Sequence, residues 1–439
     1  MKNIVLIGLL CCSFSTFAQK TWSLSDCILY AIENNISIKQ SKLDLETSEI
    51  DKRGAVGNFL PNLNSNLSHS WQNGLTSGAN NVNLVRRQQN SNIGISTEVV
   101  LYDGLRNIRQ LHRANLGILA NQYQLDDMKD NITLNIINAY LQVAFNKETL
   151  KTVKRQFEIN EAEFDRSKEL AAAGTIPQGD LLELESNLAT QSQQIINAEN
   201  QVRIAQINLA NILSIVDYKS FKITDSIAIT STTILEKTPF QIYLKALETR
   251  NDIKNAEVAV GINEDNLRLS KGVYHPTLSG GYNFRSNYYN DNIDRPTELP
   301  QFWDQLNDNK SHNFYLSLRI PIFNRLQNSN GVRRSKVNLE KSKLALEQAK
   351  IDLKSKVNQS YNDVLSAFAV FEASEKTLAA RKESFRYSQE KFDLGLMNSF
   401  DYSLARLRYE NAENDVIKSK YDYFFKAKVL EFYFGIPLY

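Results

Sequence analysis

The sequence predicts a mainly helical protein carrying a membrane-spanning β portion, with the whole plan written twice. Three observations predict it. Residues 105–173 and 326–394 contain no proline and hold one glycine each, Gly117 and Gly331. Segments with period-2 alternation precede both stretches, the pattern of half-buried strands. The halves also repeat: Gly174 and Asp180 recur 221 residues later as Gly395 and Asp401.

The chain has 439 residues, enough for two ordinary domains or one elongated one. Residues 1–18 read as a signal peptide: Lys2, the apolar run Ile4–Leu10, then Thr16-Phe17-Ala18 before Gln19. Cys11 and Cys12 raise a lipoprotein reading, but Gly8-Leu9-Leu10 is a poor context for lipidation. Removing this segment takes one lysine from a formal charge of +2, and no concentrated basic patch points to nucleic acid. Cys27 is then the single cysteine, so no internal disulfide is expected, and it reads as a small buried hydrophobe. No run of about 18 apolar residues follows, so a membrane span would have to be a closed β-barrel.

The first repeat, 19–213, opens with a helix over about 24–57. A strand pair follows over 61–103. Leu63, Leu67 and Trp71 alternate with Asn64, Asn66, Ser68 and Ser70; Ile93, Ile95, Val99 and Leu101 alternate with Asn92, Gly94, Ser96 and Glu98. Each run is about ten residues, enough to cross an outer membrane when tilted. The tip at 73–90 is rich in Asn and Gln and reads as an exposed loop.

The long helix 105–173 comes next, about 100 Å at ~1.5 Å per residue. A seven-residue register, Ile136, Val143, Leu150, Phe157 and Phe164, predicts a narrow left-handed coiled-coil seam. Positions between, such as Asn146, Asn160 and Ser167, read as wetted. Gly174 stops the helix, because glycine accepts the left-handed conformation just past a helix end. Pro177 starts the return helix 177–213. Residues 214–238 join the halves.

The second repeat, 239–439, follows the same order. It has a helix over about 239–271, a strand pair over 276–323, a tip at 286–311, a long helix over 326–394 and a return helix over 398–434. Phe314, Leu316, Leu318, Ile320 and Ile322 alternate with Tyr315, Ser317 and Arg319. The seven-residue register returns as Val357, Val364, Phe371, Leu378, Phe385 and Phe392, with Ser374 and Gln389 between. Upstream the repeat offset is 215, so Leu60-Pro61-Asn62-Leu63 corresponds to His275-Pro276-Thr277-Leu278. The polar strand faces, including Glu98 and Arg319, suit a water-filled lumen. Four strands cannot close a membrane barrel, which starts at about eight, so a membrane reading forces oligomerisation. A small soluble sandwich would be the alternative for the strands alone.

These features together resemble the TolC family of outer-membrane efflux proteins over essentially the whole mature length. They are SLSDCILYAIENNISIKQSKLDLE (23–46), the strand entries LPNL and HPTL, the strand exits VVLYDG and RIPIFN, the duplicated helices and the two Gly-x5-Asp turns. The resemblance implies a long α-helical coiled-coil barrel plus four transmembrane strands per chain. It implies a homotrimer forming a 12-stranded barrel in the outer membrane and a helical tunnel through the periplasm, with 214–238 in an equatorial belt. It implies as partners a periplasmic adaptor, an inner-membrane pump of RND, ABC or MFS type, and outer-membrane lipid.

It also implies that the two turns are periplasmic tips. Gly174, Thr175, Leu394, Gly395 and Leu396 match the turn that docks on the adaptor, and Asp180 and Asp401 match acidic gate positions. Two departures matter. Leu404 stands where the family often has a second acid, leaving Glu183 as the first-half candidate. Met397 stands where a basic partner is expected. An acid in a first helical turn is also favoured by the helix dipole alone, so plain capping stays open for both aspartates.

No catalytic constellation is present. The four histidines, His69, His112, His275 and His312, are scattered, and there is no zinc, phosphate-loop or nucleophile-elbow motif. The chain reads as a passive conduit with no enzyme activity, cofactor or metal. The other readings are an outer-membrane component of type I protein or peptide secretion, and a periplasmic coiled-coil adaptor. An adaptor would carry one helical hairpin and no strand pairs.

Overall fold

The structure is a computed structural model that describes residues 21–77, 83–174, 176–218, 221–224, 233–291 and 300–436. The expected signal segment, Thr175 and part of the 214–238 connection lie outside the described residues. In chain order the elements are β1 (Thr21–Trp22), α1 (Leu24–Asn34), α2 (Ile36–Gly57), β2 (Asn62–Ser77), β3 (Asn83–Tyr102), α3 (Arg106–Ala172), α4 (Gln178–Leu213) and β4 (Lys222–Ile223). Then come α5 (Pro239–Thr249), α6 (Asn251–Gly272), β5 (Thr277–Asp291), α7 (Phe302–Asp308), β6 (Ser311–Arg319), α8 (Gln327–Asp393) and α9 (Ser399–Phe434).

The duplication extends to backbone dihedrals. Eight described residues have positive φ, and they form four pairs 221 residues apart: Gly104 with Arg325, Leu105 with Leu326, Gly174 with Gly395, and Ser214 with Gly435. Non-glycine residues avoid this region for steric reasons, so its reuse marks the same turns built twice. Asp103 caps α3 by accepting the amides of Arg106 and Asn107 at 2.9 Å; Asn324, its counterpart, accepts from Asn328 at 3.3 Å.

At the earlier offset of 215, Ser23 with Asp26 and Thr238 with Gln241 form capping boxes at the starts of α1 and α5. The single helices expected at 24–57 and 239–271 are each broken once, at Asn35 and Arg250, where ψ is 132° and 127°. Asn35 terminates α1, accepts the amides of Ser37 and Ile38, and donates to the Ile212 carbonyl at 2.7 Å. Without that bend Asn35 could not serve both helices.

The molecule divides into two compact units, each described by itself. The first takes its described residues from the stretches 21–41, 125–251 and 350–436. Its core holds Cys27, Ile28, Ala31, Ile136, Tyr140, Val143, Leu209, Leu213 and Phe221. β1 and β4 pair in parallel, Thr21 with Lys222 and Trp22 with Ile223, so the connection between the halves is stitched to the start of the described chain. Trp22 packs edge-on against Tyr30 at 5.0 Å, and the Tyr140 hydroxyl donates to the Trp22 carbonyl at 3.3 Å.

The second unit contains residues 42–124 and 252–349. Here the strands form one antiparallel sheet in the order β2-β3-β5-β6, so the repeats join through β3 and β5. Polar and apolar rows alternate across all four strands. Asn64, Ser96, Asn283 and Asn313 share one row; Leu63, Thr97, Tyr282 and Phe314 share a neighbouring row on the opposite face. In the next polar row Tyr315 covers Gly281, where a Cβ would lie 2.4 Å from the ring, and donates to Glu98 at 2.9 Å.

The tips differ from expectation. β2 and β3 stay paired out to Ser77 opposite Asn83, so most of 73–90 is strand, not loop. β5 likewise runs to Asp291, and α7 occupies part of 286–311. Polar composition does not forbid a strand when its backbone groups are paired by a neighbour. Below the sheet, buried Asp265 of α6 accepts from His112 and from Arg268 at 3.2 Å, with Arg109 at 3.9 Å.

Candidate functional site

Both Gly-x5-Asp turns belong to the first unit. Gly174 (φ +73°) and Gly395 (φ +70°) end α3 and α8 in the left-handed conformation. The second turn is a full Schellman closure: the Gly395 amide donates to the Phe392 carbonyl at 2.9 Å and Leu396 to Lys391 at 2.8 Å. Leu394 and Leu396 are each 74 % exposed beside it.

The restarts are chemically unequal. Pro177 begins α4 without a side-chain cap, and the Asp180 amide donates to the Pro177 carbonyl at 3.1 Å. Asn398 caps α9 by accepting the Asp401 amide at 2.8 Å and donates back to Asp401 Oδ2 at 2.9 Å. Asp401 is exposed, Asp180 half-buried and Glu183 exposed. Among the described residues no hydrogen bond joins Asp180 to Asp401 or Glu183, and the part of Asp401 seen here is a local cap.

What ties the tip helices together is a cluster the sequence did not reveal. Arg406 of α9 donates through Nη1 to Glu163 of α3 at 3.0 Å and to Asn160 at 2.7 Å. The Tyr402 hydroxyl donates to the same Glu163 oxygen at 3.0 Å. Asn160 donates onward to Gln191 of α4 at 2.8 Å. Arg166 meets Asp393 at 3.2 Å, joining α3 to α8, and Arg155 pairs with Glu413. Phe385 and Phe392 pack on Tyr402 from the other side, at 5.6 and 4.4 Å.

Burial of the cluster moves its protonation equilibria. The Glu163 carboxyl is pushed up mainly by desolvation, partly offset by the Arg406 charge and the Tyr402 hydrogen bond. Glu410 is raised for the same first cause, with Asn160 and Arg406 opposing. Tyr402 is raised by burial and then by the Glu163 charge.

This corrects the wetted reading of α3: Asn146, Asn160 and Ser167 are all buried, while Leu150, Phe157 and Phe164 are only half-buried. Ser374 and Gln389 on α8 are half-buried and exposed. A spacing signal existed, since Tyr402, Arg406, Glu410 and Glu413 recur every three or four residues on one face of α9. Glu98 and Arg319 share the polar face of the sheet, Glu98 in register with Gly281 and Arg319 with Thr277. Among the described residues no helix is long and apolar enough to cross a membrane, and no His, Cys, Asp or Glu group is arranged to hold a metal.

The sequence profile of the outer membrane efflux proteins matches residues 28–214 and 242–435, one stretch in each repeat. The chain belongs to the outer membrane efflux protein family. It is an outer-membrane protein of the TolC-like kind. It is 21 % identical to the outer membrane protein TolC of Escherichia coli over 436 residues, 96 % of this chain and 84 % of TolC. It is 20 % identical to the cation efflux system protein CusC of Escherichia coli O157:H7 over 360 residues, 80 % of this chain and 71 % of CusC. The fold is similar to that of the outer membrane protein VceC of Vibrio cholerae, with a TM-score of 0.78 at 12 % identity, covering 94 % of this chain and 96 % of VceC.

Proposed function

We propose that the chain is the outer-membrane channel of a tripartite efflux pump, a passive trimeric conduit from a periplasmic adaptor and an inner-membrane pump to the cell exterior. The observation that carries this reading is the four-stranded sheet. It has an apolar face, a polar face and two open edges, β2 and β6. Unpaired edge groups are too costly in hydrocarbon, so the sheet must be closed by copies of itself. Three chains supply twelve strands, with Glu98 and Arg319 on the lumen side.

The first unit then forms the periplasmic tunnel. Its tips close it through the Glu163 cluster within each chain, and Asp180, Asp401 and Glu183 gather near the axis, where carboxylates attract cations and repel anions. The exposed Leu394 and Leu396, with Gly174, Thr175 and Gly395, offer the adaptor its docking turn. Cargo selection and energy reside in the inner-membrane pump.

Single-channel recording in a planar bilayer tests this, wild type beside Asp180→Asn/Asp401→Asn. A small cation-preferring conductance that rises in the variant is expected. No channel from either protein, with both soluble without detergent, would return the chain to a periplasmic coiled-coil role.

A further inference from the structure

We infer that α7, the seven-residue helix Phe302–Asp308, is an interfacial anchor that sets Trp303 and Phe302 into the headgroup layer of the outer leaflet. The inference rests on the membrane placement of the sheet proposed above.

The helix is fixed to β5 along the edge beyond its pairing with β6, and through two side chains of the apolar face. Ser286 and Tyr288 lie on the same side of that strand as Tyr282 and Phe284, by the alternation of the pleat. The Ser286 hydroxyl donates to the Leu306 carbonyl. The Tyr289 amide donates to Gln305 Oε1 at 3.0 Å, and Asn309 donates to the Asn287 carbonyl at 2.7 Å. Phe302 packs edge-on against Tyr288 at 4.8 Å. Leu306 is buried beneath the helix, whereas Trp303, against Phe302 at 5.2 Å, is 76 % exposed. A rigidly mounted helix therefore holds a bare indole outward.

Its level on the sheet identifies the partner. Trp71, 73 % exposed, lies one row beyond the Tyr288 row on the same face, through Gln89 and Asn290. Below them run the exposed Phe314, Leu316 and Leu318. At the far end Tyr102 meets His275 at 3.2 Å, and Leu278 stands in register with Tyr102. From Leu278 to Tyr288, at ~3.3 Å per residue and a tilt of about 40°, the apolar band is about 25 Å high. That is the height of an outer-membrane hydrocarbon band. Trp and Tyr favour its two edges, because an amphipathic ring satisfies its polar atom in the headgroups and its body in the acyl chains. The indole of Trp303 continues this girdle onto a loop helix.

The protein has three tryptophans, Trp22, Trp71 and Trp303, which makes a direct test possible. Full-length Trp22→Phe/Trp71→Phe leaves only Trp303; Trp22→Phe/Trp303→Phe leaves only Trp71. Each is reconstituted in phosphatidylcholine vesicles carrying doxyl labels either near the headgroup or deep in the chain. The expected result is Trp303 emission shifted to the blue, quenched more by the shallow label than the deep one, and resistant to iodide. Trp303 quenched by iodide and untouched by lipid labels, with Trp71 quenched by them, overturns the anchor and leaves the membrane sheet standing. Stronger quenching of Trp303 by the deep label overturns the headgroup placement. Lipid quenching of neither overturns the anchor together with the placement of the sheet.

Discussion

Arg406 of α9 is buried against Glu163 of α3, its side chain 7 % exposed and its guanidinium 3.0 Å from the carboxylate, across 243 residues of sequence. The pair sits one and a half turns inside the second Gly-x5-Asp turn, and it binds the outgoing helix of one repeat to the return helix of the other.

Removing one partner leaves the other charge buried and unpaired. Glu163→Ala is expected to cost about 2–4 kcal/mol. Glu163→Ala/Arg406→Met should cost less than the sum of its single substitutions, because the orphaned charge is gone. Chemical denaturation of the detergent-solubilised protein reads both. A Glu163→Ala protein as stable as wild type would remove the pair from the account of how the tip is held.

The same carboxyl gives a pH dependence with a definite sign. Its folded pKa is raised above the unfolded value, chiefly by burial. A group of that kind contributes its full stability below the unfolded value and loses it as pH rises through the folded one. The stability of wild type relative to Glu163→Gln should therefore decline from about pH 4 towards pH 7. Melting temperatures of the two proteins across that range check it; a difference that grows with pH contradicts it.

Asn398 caps α9 by accepting the Asp401 amide, and its own amide nitrogen donates to the Asp401 carboxylate. Asn398→Ala should cost about 1 kcal/mol, and Asn398→Ser much less, because a hydroxyl can still accept the Asp401 amide without adding a second carboxylate beside Asp401. If the proposed gate depends on this turn, Asn398→Ala should also raise single-channel conductance, with Asn398→Ser close to wild type. Unchanged conductance in a measurably destabilised Asn398→Ala protein would separate the cap from the gate.

Tyr315 lies across Gly281 to reach Glu98. Gly281→Ala puts a methyl 2.4 Å from the ring and forces it away. Assembly of heat-modifiable oligomer, followed by gel mobility, should fall in Gly281→Ala. Tyr315→Phe, which loses only an exposed hydrogen bond, should assemble normally. Full assembly of Gly281→Ala would show that the ring moves freely.

Much of this architecture could be read before any coordinates. Glycine at 174 and 395, and the absence of proline over the preceding sixty-odd residues, fix the ends of the 67-residue helices α3 and α8 locally. Alternation fixes which strand residues share a face. What misled was polarity. Asn146, Asn160 and Ser167 looked solvated because their type is usually exposed, but all three are buried, and the Asn146 and Asn160 amides find partners in the Gln201 carbonyl and in Gln191 and Arg406. The polar tip 73–90 looked like a loop for the same reason, although most of it is paired strand.

By itself the sequence determined the repeat, the two long helices with their ends, and the alternating faces of the strands, because these follow from steric rules acting over a few residues. The tertiary structure alone decided that β3 pairs with β5, putting Glu98 opposite Gly281, and that Glu163 answers Arg406. Those choices depend on which chemically ordinary side chains meet across hundreds of residues, and the burial that gives such a meeting its energy exists only once the helices have packed.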